Sequence, residues 1–167
     1  LVAWAARRLR RPVKWTCTRR EAFLTDYQAR DLVSGMELAL DAEGGFLALR
    51  GMNTSNVGAH AVTFVPLNKG RELATSVYRV AAAAVRGRAV LSNTSPLGAY
   101  RSAGRPQVMY VMERLIDLAA RRHGFDRLEL RRRNLVPPGA MPYTNPLGIV
   151  YDSGEYAAAQ DRAVALA

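Results

Sequence analysis

The 167-residue sequence reads as an α+β chain with strands first and helices after. Two β-rich stretches flank the turn-forming run "DAEGG", Asp41 to Gly45, as the arms of a hairpin do. From Val108 onward the apolar positions recur at helical spacing. Strand and helix patterns do not alternate in the way a doubly wound parallel sheet requires.

The elements follow in order. Leu1 to Arg10 has the pattern of the end of an amphipathic helix, and Pro12 forbids its continuation. "VKWTCT", Val13 to Thr18, alternates and is rich in β-formers, which predicts a strand. Arg30 to Leu40 and Phe46 to Arg50 are the two hairpin arms. Met52 to His60 has loop composition, with Gly58 placed where a backbone could come close to something. Tyr78 to Arg86 is open between states, because its alanine run suits a helix by propensity. "RAVLSNT", Arg88 to Thr94, predicts a short strand.

Past a glycine loop, Val108, Val111, Met112, Leu115, Leu118 and Ala119 share one helix face. Pro106 suits the first turn, Asp117 and Arg121 are spaced for an i,i+4 ion pair, and Gly124 ends the helix with His123 beside it. Asp126 then predicts an N-cap, with Glu129 as its capping-box partner and Phe125 with Leu130 as a hydrophobic staple. Pro137 and Pro138 stop that helix, "MPYTNPLG" is turn-rich, and Asp152 or Ser153 is expected to cap a last helix. Residues 1–80 are thus expected to be mainly β, and residues 81–167 to hold the glycine loop and the helices. Leu1 opens in mid-pattern and the last helix lacks a stop signal, so an internal piece of a longer protein is expected.

Composition narrows the function classes. No apolar run approaches the ~18 residues of a membrane span. One cysteine, Cys17, rules out an internal disulfide framework, and it is expected to be a buried, inert thiol. It fits a reducing compartment, so the cytoplasm is expected, with the periplasm as the alternative. His60 and His123 show no ligand spacing, and no metal-ligating set is expected in the chain. The formal charge of +10 raises nucleic-acid binding as an alternative function. Its arginines, however, are scattered over several segments with no aromatic ladder, and nucleic acid is not expected as a partner. A purely structural piece without ligand affinity is the third alternative.

The stretch "GAYRSAGRP", Gly98 to Pro106, is the candidate site. It precedes a helix start, where unpaired N–H groups and a partial positive charge gather. Small residues allow close approach, and Arg101 and Arg105 can add charge-assisted bonds to an oxyanion or phosphate. A tight connection with purely geometric glycines is the competing explanation. Elsewhere, Glu113 and Asp117 sit four apart on the helix with arginine partners within reach, which favours a structural pair over a catalytic dyad. Glu21, after two arginines, is expected in ion pairs, and Asn93 in a bond to backbone near the loop.

The ordered set of residues resembles the molybdopterin-binding large subunit of the xanthine dehydrogenase, aldehyde oxidase and carbon monoxide dehydrogenase family. The segments are "RRPVKWTCTRREAF", then "SNTSPLGAYRSAGRPQVMYVMERLIDLAARRHGFDRLELRRRNLVPP", then "MPYTNPLGIVYDSGEY". Asn93, Pro96, Ala99, Tyr100, Arg101, Gly104 and Pro106 match that family's loop, and Glu113, Asp117, Glu129, Leu130, Arg131 and Asn134 its following helices. The resemblance implies a partial molybdopterin-binding domain over residues 1–167. It also implies a hydroxylase of aldehydes or N-heterocycles that takes its oxygen from water. The cofactor would be molybdenum on molybdopterin, in the cytosine dinucleotide form. Iron–sulfur and FAD centres would lie on a small and a medium partner subunit of an oligomer.

The same resemblance places Tyr100, Arg101, Ser102 and Gly104 against the cofactor and Ala103 at the substrate pocket. Ser102 stands where the loop usually has glycine and where copper-containing carbon monoxide dehydrogenases have cysteine. Ala103 stands where xanthine-oxidising members have phenylalanine. Asn56 replaces the acid of a D-x-G-A segment matched at Gly58 and Ala59, which argues against a site role there. The family's general-base glutamate belongs to a segment outside these residues, so no catalytic residue is expected in this chain and the chain by itself is expected to be inactive.

Overall fold

A computed structural model describes all residues, 1–167. Six helices, α1 (Val2–Leu9), α2 (Arg19–Thr25), α3 (Val65–Glu72), α4 (Arg105–His123), α5 (Arg127–Asn134) and α6 (Tyr156–Ala165), accompany two small sheets. The larger sheet has the order β1 (Leu32–Leu40), β2 (Phe46–Gly58), β3 (Ala82–Leu91). β1 and β2 form the antiparallel hairpin, with Leu38 opposite Leu49. β3 lies parallel to β2, with Asn53 opposite Gly87, and α3 makes the crossover. β4 (Tyr143–Thr144) and β5 (Val150–Tyr151) pair as a short second hairpin. The α+β architecture holds, with one β-α-β unit inside it.

Helices cover one face of the larger sheet. Alternation along β1 turns Met36, Leu38 and Leu40 inward, where they meet α4. The core is built on Phe46, Leu49, Tyr78, Val85, Met112, Ile116, Leu130 and Leu135. Ile116 is fully buried, whereas Leu118 of the predicted face is 46% exposed, so the buried stripe of α4 is rotated towards Ile116 and Ala120. No helix is long and apolar enough to cross a membrane.

Several expectations are corrected. Val13–Thr18 forms no strand: its alternation finds no neighbouring strand to pair with, and its last residue instead caps α2. Glu21 closes that capping box, accepting from the Thr18 amide at 2.7 Å, and makes no ion pair. The supposed loop from Met52 is the second half of β2, a strand through Gly58. The alanine run, open between states in the sequence, is settled as part of β3, because parallel pairing with β2 overrides helix propensity. Residues 1–80 hold α1, α2 and α3 beside β1 and β2. Cys17 is half-buried, not enclosed. The last helix begins after Glu155, with no side-chain cap from Asp152 or Ser153.

Four side chains fasten the helices to one another, to the sheet and to the hairpin turns. Arg131 on α5 donates to Glu113 at 2.7 Å and to Asp117 at 2.9 Å on α4, so Asp117 pairs across helices and not with Arg121. Tyr78 donates to the other Glu113 oxygen at 2.7 Å. Burial, reinforced by the hydrogen bond to Glu113, pushes the Tyr78 phenol far above its ordinary value. Asn134, 4% exposed, donates to the Gly44 and Leu130 carbonyls and accepts from the Phe46 amide, which ties the β1–β2 turn to α5. Asn145, 2% exposed, accepts from Leu147 and Ile149 and donates to the Glu72 carbonyl, which seats the β4–β5 turn against the end of α3.

Candidate functional site

The segment from Ser92 to Gly104 leaves the end of β3 and delivers the chain to the start of α4. Its first half is pinned to the sheet. Asn56 donates to Thr94 at 3.0 Å and to Asp31 at 2.9 Å, and accepts from Ser92 and the Gly58 amide. Gln28 reaches in from the α2–β1 connection, donating to Thr94 Oγ1 and the Ser95 carbonyl, both at 2.8 Å. Backbone bonds between Gln28 and Pro96 and between Gly98 and Gln28 lay that connection alongside the segment. Asn93 is exposed and makes no side-chain bond, contrary to expectation.

The glycines answer to the protein's own packing. A Cβ on Gly98 would lie 2.7 Å from the Tyr27 side chain, and one on Gly58 would collide with the Ser95–Pro96 backbone. Gly104, the N-cap of α4, has φ +86°, and a Cβ there would overlap the Pro66 carbonyl oxygen and come within 2.8 Å of the Gly70 nitrogen. The close approach read into these positions is thus an approach by the α2–β1 connection, the Ser95–Pro96 segment and α3.

Between these fixed points the loop stands out. Tyr100, Arg101 and Ser102 are exposed, Ala103 is half-exposed, and Gly104 is buried beneath them. Two internal bonds shape the turn: the Ala103 amide donates to the Tyr100 carbonyl at 2.9 Å and the Arg105 amide to the Ser102 carbonyl at 3.0 Å. Ser102 is left-handed, with φ +71°, the backbone state that favours the glycine usual at this place. The amides of Ala99, Tyr100, Arg101 and Ser102 donate to no acceptor within the protein. Neither Arg101 nor Arg105 makes an ion pair. A run of free amides just before a helix start, with Arg101 inside it and Arg105 opening the helix, is a donor set suited to oxyanions, such as oxo or phosphate oxygens. No group of three or more His, Cys, Asp or Glu side chains converges on a common point.

The loop's principal outside contact was invisible in the sequence. Arg30 donates to the Arg101 carbonyl at 2.7 Å and to Gln107 Oε1 at 3.3 Å, and its guanidinium lies 5.2 Å from the Tyr100 ring centroid. Only its place in the fold reveals it, since an arginine at a strand start carries no signal of its own.

Residues 1–135 match the molybdopterin cofactor-binding domain family. Subunit gamma of the 6-hydroxypseudooxynicotine dehydrogenase complex of Paenarthrobacter nicotinovorans is 39% identical over 162 residues, covering 93% of this chain and 20% of that protein. The carbon monoxide dehydrogenase large chain of Hydrogenophaga pseudoflava is 33% identical, covering 89% of this chain and 19% of that one. The crystal structure of quinoline 2-oxidoreductase from Pseudomonas putida 86 superimposes with a TM-score of 0.93 at 36% identity, over 99% of this chain and 22% of that chain. The chain spans about a fifth of the length of the relatives it matches. With most of its length matched, this chain belongs to the molybdopterin cofactor-binding domain family.

Proposed function

We propose that the chain forms one wall of the molybdenum site in a hydroxylase large subunit that oxidises N-heterocycles or aldehydes. The observation that carries this is the loop Ala99–Gly104, with the free amides of residues 99–102 and the exposed Arg101 free of ion pairs. When bound, the molybdopterin cofactor supplies the two-electron oxidation, with water as the oxygen source. Arg101 and the amides of residues 99–102 bind and orient oxo or phosphate oxygens, and Gly104 shapes the turn that presents them. Tyr100 lies beside them, and Ser102 holds the left-handed corner. Ala103 faces the substrate pocket. The general base comes from a segment outside these residues.

Two residues bear on the substrate. Ser102 offers a hydroxyl, a poor ligand for Cu(I), where a copper–molybdenum site needs a soft thiolate, which argues against carbon monoxide. Ala103 cannot stack on a flat purine, a contribution of roughly 0.5–1.5 kcal/mol beyond area burial. Two relatives take their names from 6-hydroxypseudooxynicotine and quinoline, in support of an N-heterocycle. The cofactor is proposed as the cytosine dinucleotide form. Electrons pass to iron–sulfur and FAD centres on a small and a medium partner subunit of a cytoplasmic oligomer.

The test is a substrate panel on the purified full-length protein with an artificial electron acceptor. The expected result is the highest catalytic efficiency on an N-heterocycle or aldehyde, with molybdenum present and no stoichiometric copper. Carbon monoxide-dependent dye reduction, copper at one equivalent per molybdenum, or a purine as the best substrate would overturn the assignment.

A further inference from the structure

We infer that Arg30 is a positioning residue for the loop: it holds the Arg101–Ser102 peptide so that the Ser102 amide faces away from the protein. This rests on the loop being the cofactor wall. Residues 98–104 accept one hydrogen bond from a side chain outside the loop, and Arg30 supplies it, to the Arg101 carbonyl. A trans peptide is planar, with its C=O and N–H pointing to opposite sides. Gripping the Arg101 carbonyl on the protein side therefore commits the Ser102 N–H to the open side, where it is one of the four free amides.

The remaining contacts make Arg30 a brace across the loop. Its second guanidinium nitrogen reaches Gln107 in the first turn of α4, beyond the loop, while its face lies against Tyr100 at the loop's entrance. One rigid planar group thus touches both ends of the turn, which a lysine ammonium cannot reproduce. Arg30 itself adopts φ +67°, a left-handed state that a non-glycine residue enters at a cost. The Gln28–Leu97 bridge just before it fixes the approach.

The test compares wild type, Arg30→Ala and Arg30→Lys in the full-length protein by hydrogen exchange on peptides covering residues 98–108. It is done with molybdenum-loaded and molybdenum-free protein, alongside molybdenum analysis. Loss of a charge-assisted bond loosens the turn and predicts about tenfold faster exchange of its hydrogen-bonded Ala103 and Arg105 amides in Arg30→Ala, with or without molybdenum. Peptides covering residues 110–120 of α4 should be unchanged, and Arg30→Lys should fall between. If the loop is the cofactor wall, molybdenum occupancy falls in the same order. Unchanged exchange over residues 98–108 in Arg30→Ala overturns the brace, as does an equal rise over residues 110–120. Faster loop exchange with full molybdenum occupancy upholds the brace and sinks the cofactor reading instead.

Discussion

Replacing Gly104 and Gly124 by alanine separates backbone strain from packing, because both have positive φ and only one is crowded. Both cap α4 with a left-handed backbone, at φ +86° and φ +74°. A Cβ at Gly124 meets nothing within 4 Å, whereas at Gly104 it strikes the Pro66 carbonyl oxygen and the Gly70 nitrogen of α3. Gly124→Ala should therefore lose only the left-handed cost, roughly 1–2 kcal/mol. Gly104→Ala adds the overlap, which backbone atoms cannot relieve by changing rotamer, and overpacking of this kind costs about 1–3 kcal/mol more. In urea denaturation followed by far-UV circular dichroism, with a slope of ~2 kcal/mol/M, the midpoint should fall by about 0.5–1 M for Gly124→Ala. For Gly104→Ala the fall should be about 1–2.5 M. Equal midpoints would refute the seating of α3 against the loop.

Other expectations concern the fastenings behind the loop. Arg131→Met should cost about 2 kcal/mol in the same denaturation assay, a figure kept low because Glu113 is 41% exposed. The Arg131 hydrogen bond holds the Asp117 carboxyl below its ordinary value of 3.8, so its contribution is present above that pH and lost as pH falls through the folded value. The stability gap between wild type and Arg131→Met should then be constant near neutrality and shrink below about pH 4; a gap that widens in acid would contradict the pairing. Asn134→Ala should cost about 2–3 kcal/mol, because it leaves the Gly44 carbonyl and the Phe46 amide without their partner. A urea midpoint within error of wild type would show that the turn is held some other way.

What could be read in advance was local chemistry. The α4 repeat, the Asp41–Gly45 turn and the Asp126 cap each depend on residues within a few positions, and each appears where expected. Asp126 accepts from the Leu128 and Glu129 amides at 2.8 and 2.9 Å. What depended on distant partners was hidden. β3 is a strand because β2 lies beside it, although its alanines favour a helix. α3 announces itself poorly: Phe64 precedes it without a side-chain cap, and Pro66, Leu67 and Gly70 are its buried residues. Asp117 had a candidate partner four residues on, yet the better geometry was Arg131 on another helix.

The candidate site divides the same way. The candidate loop was singled out by its small residues, its arginines and the helix that follows, and the structural character of Glu113 and Asp117 was legible from their spacing and arginine partners. The reason for its glycines was not, since the Tyr27 side chain that crowds Gly98 and the Pro66 carbonyl that crowds Gly104 lie 71 and 38 positions away. Arg30, 71 residues before the carbonyl it holds, belongs to that hidden part.

The most direct test of the loop as cofactor wall is Arg101→Ala in the full-length protein, read as molybdenum content per subunit and activity per molybdenum. One charge-assisted contact is worth roughly 1.5–3 kcal/mol, so retention of the cofactor should weaken by about ten- to a hundredfold. Molybdenum content or activity per molybdenum should therefore fall while the fold, read by circular dichroism, is unchanged. Wild-type values for both would contradict the account.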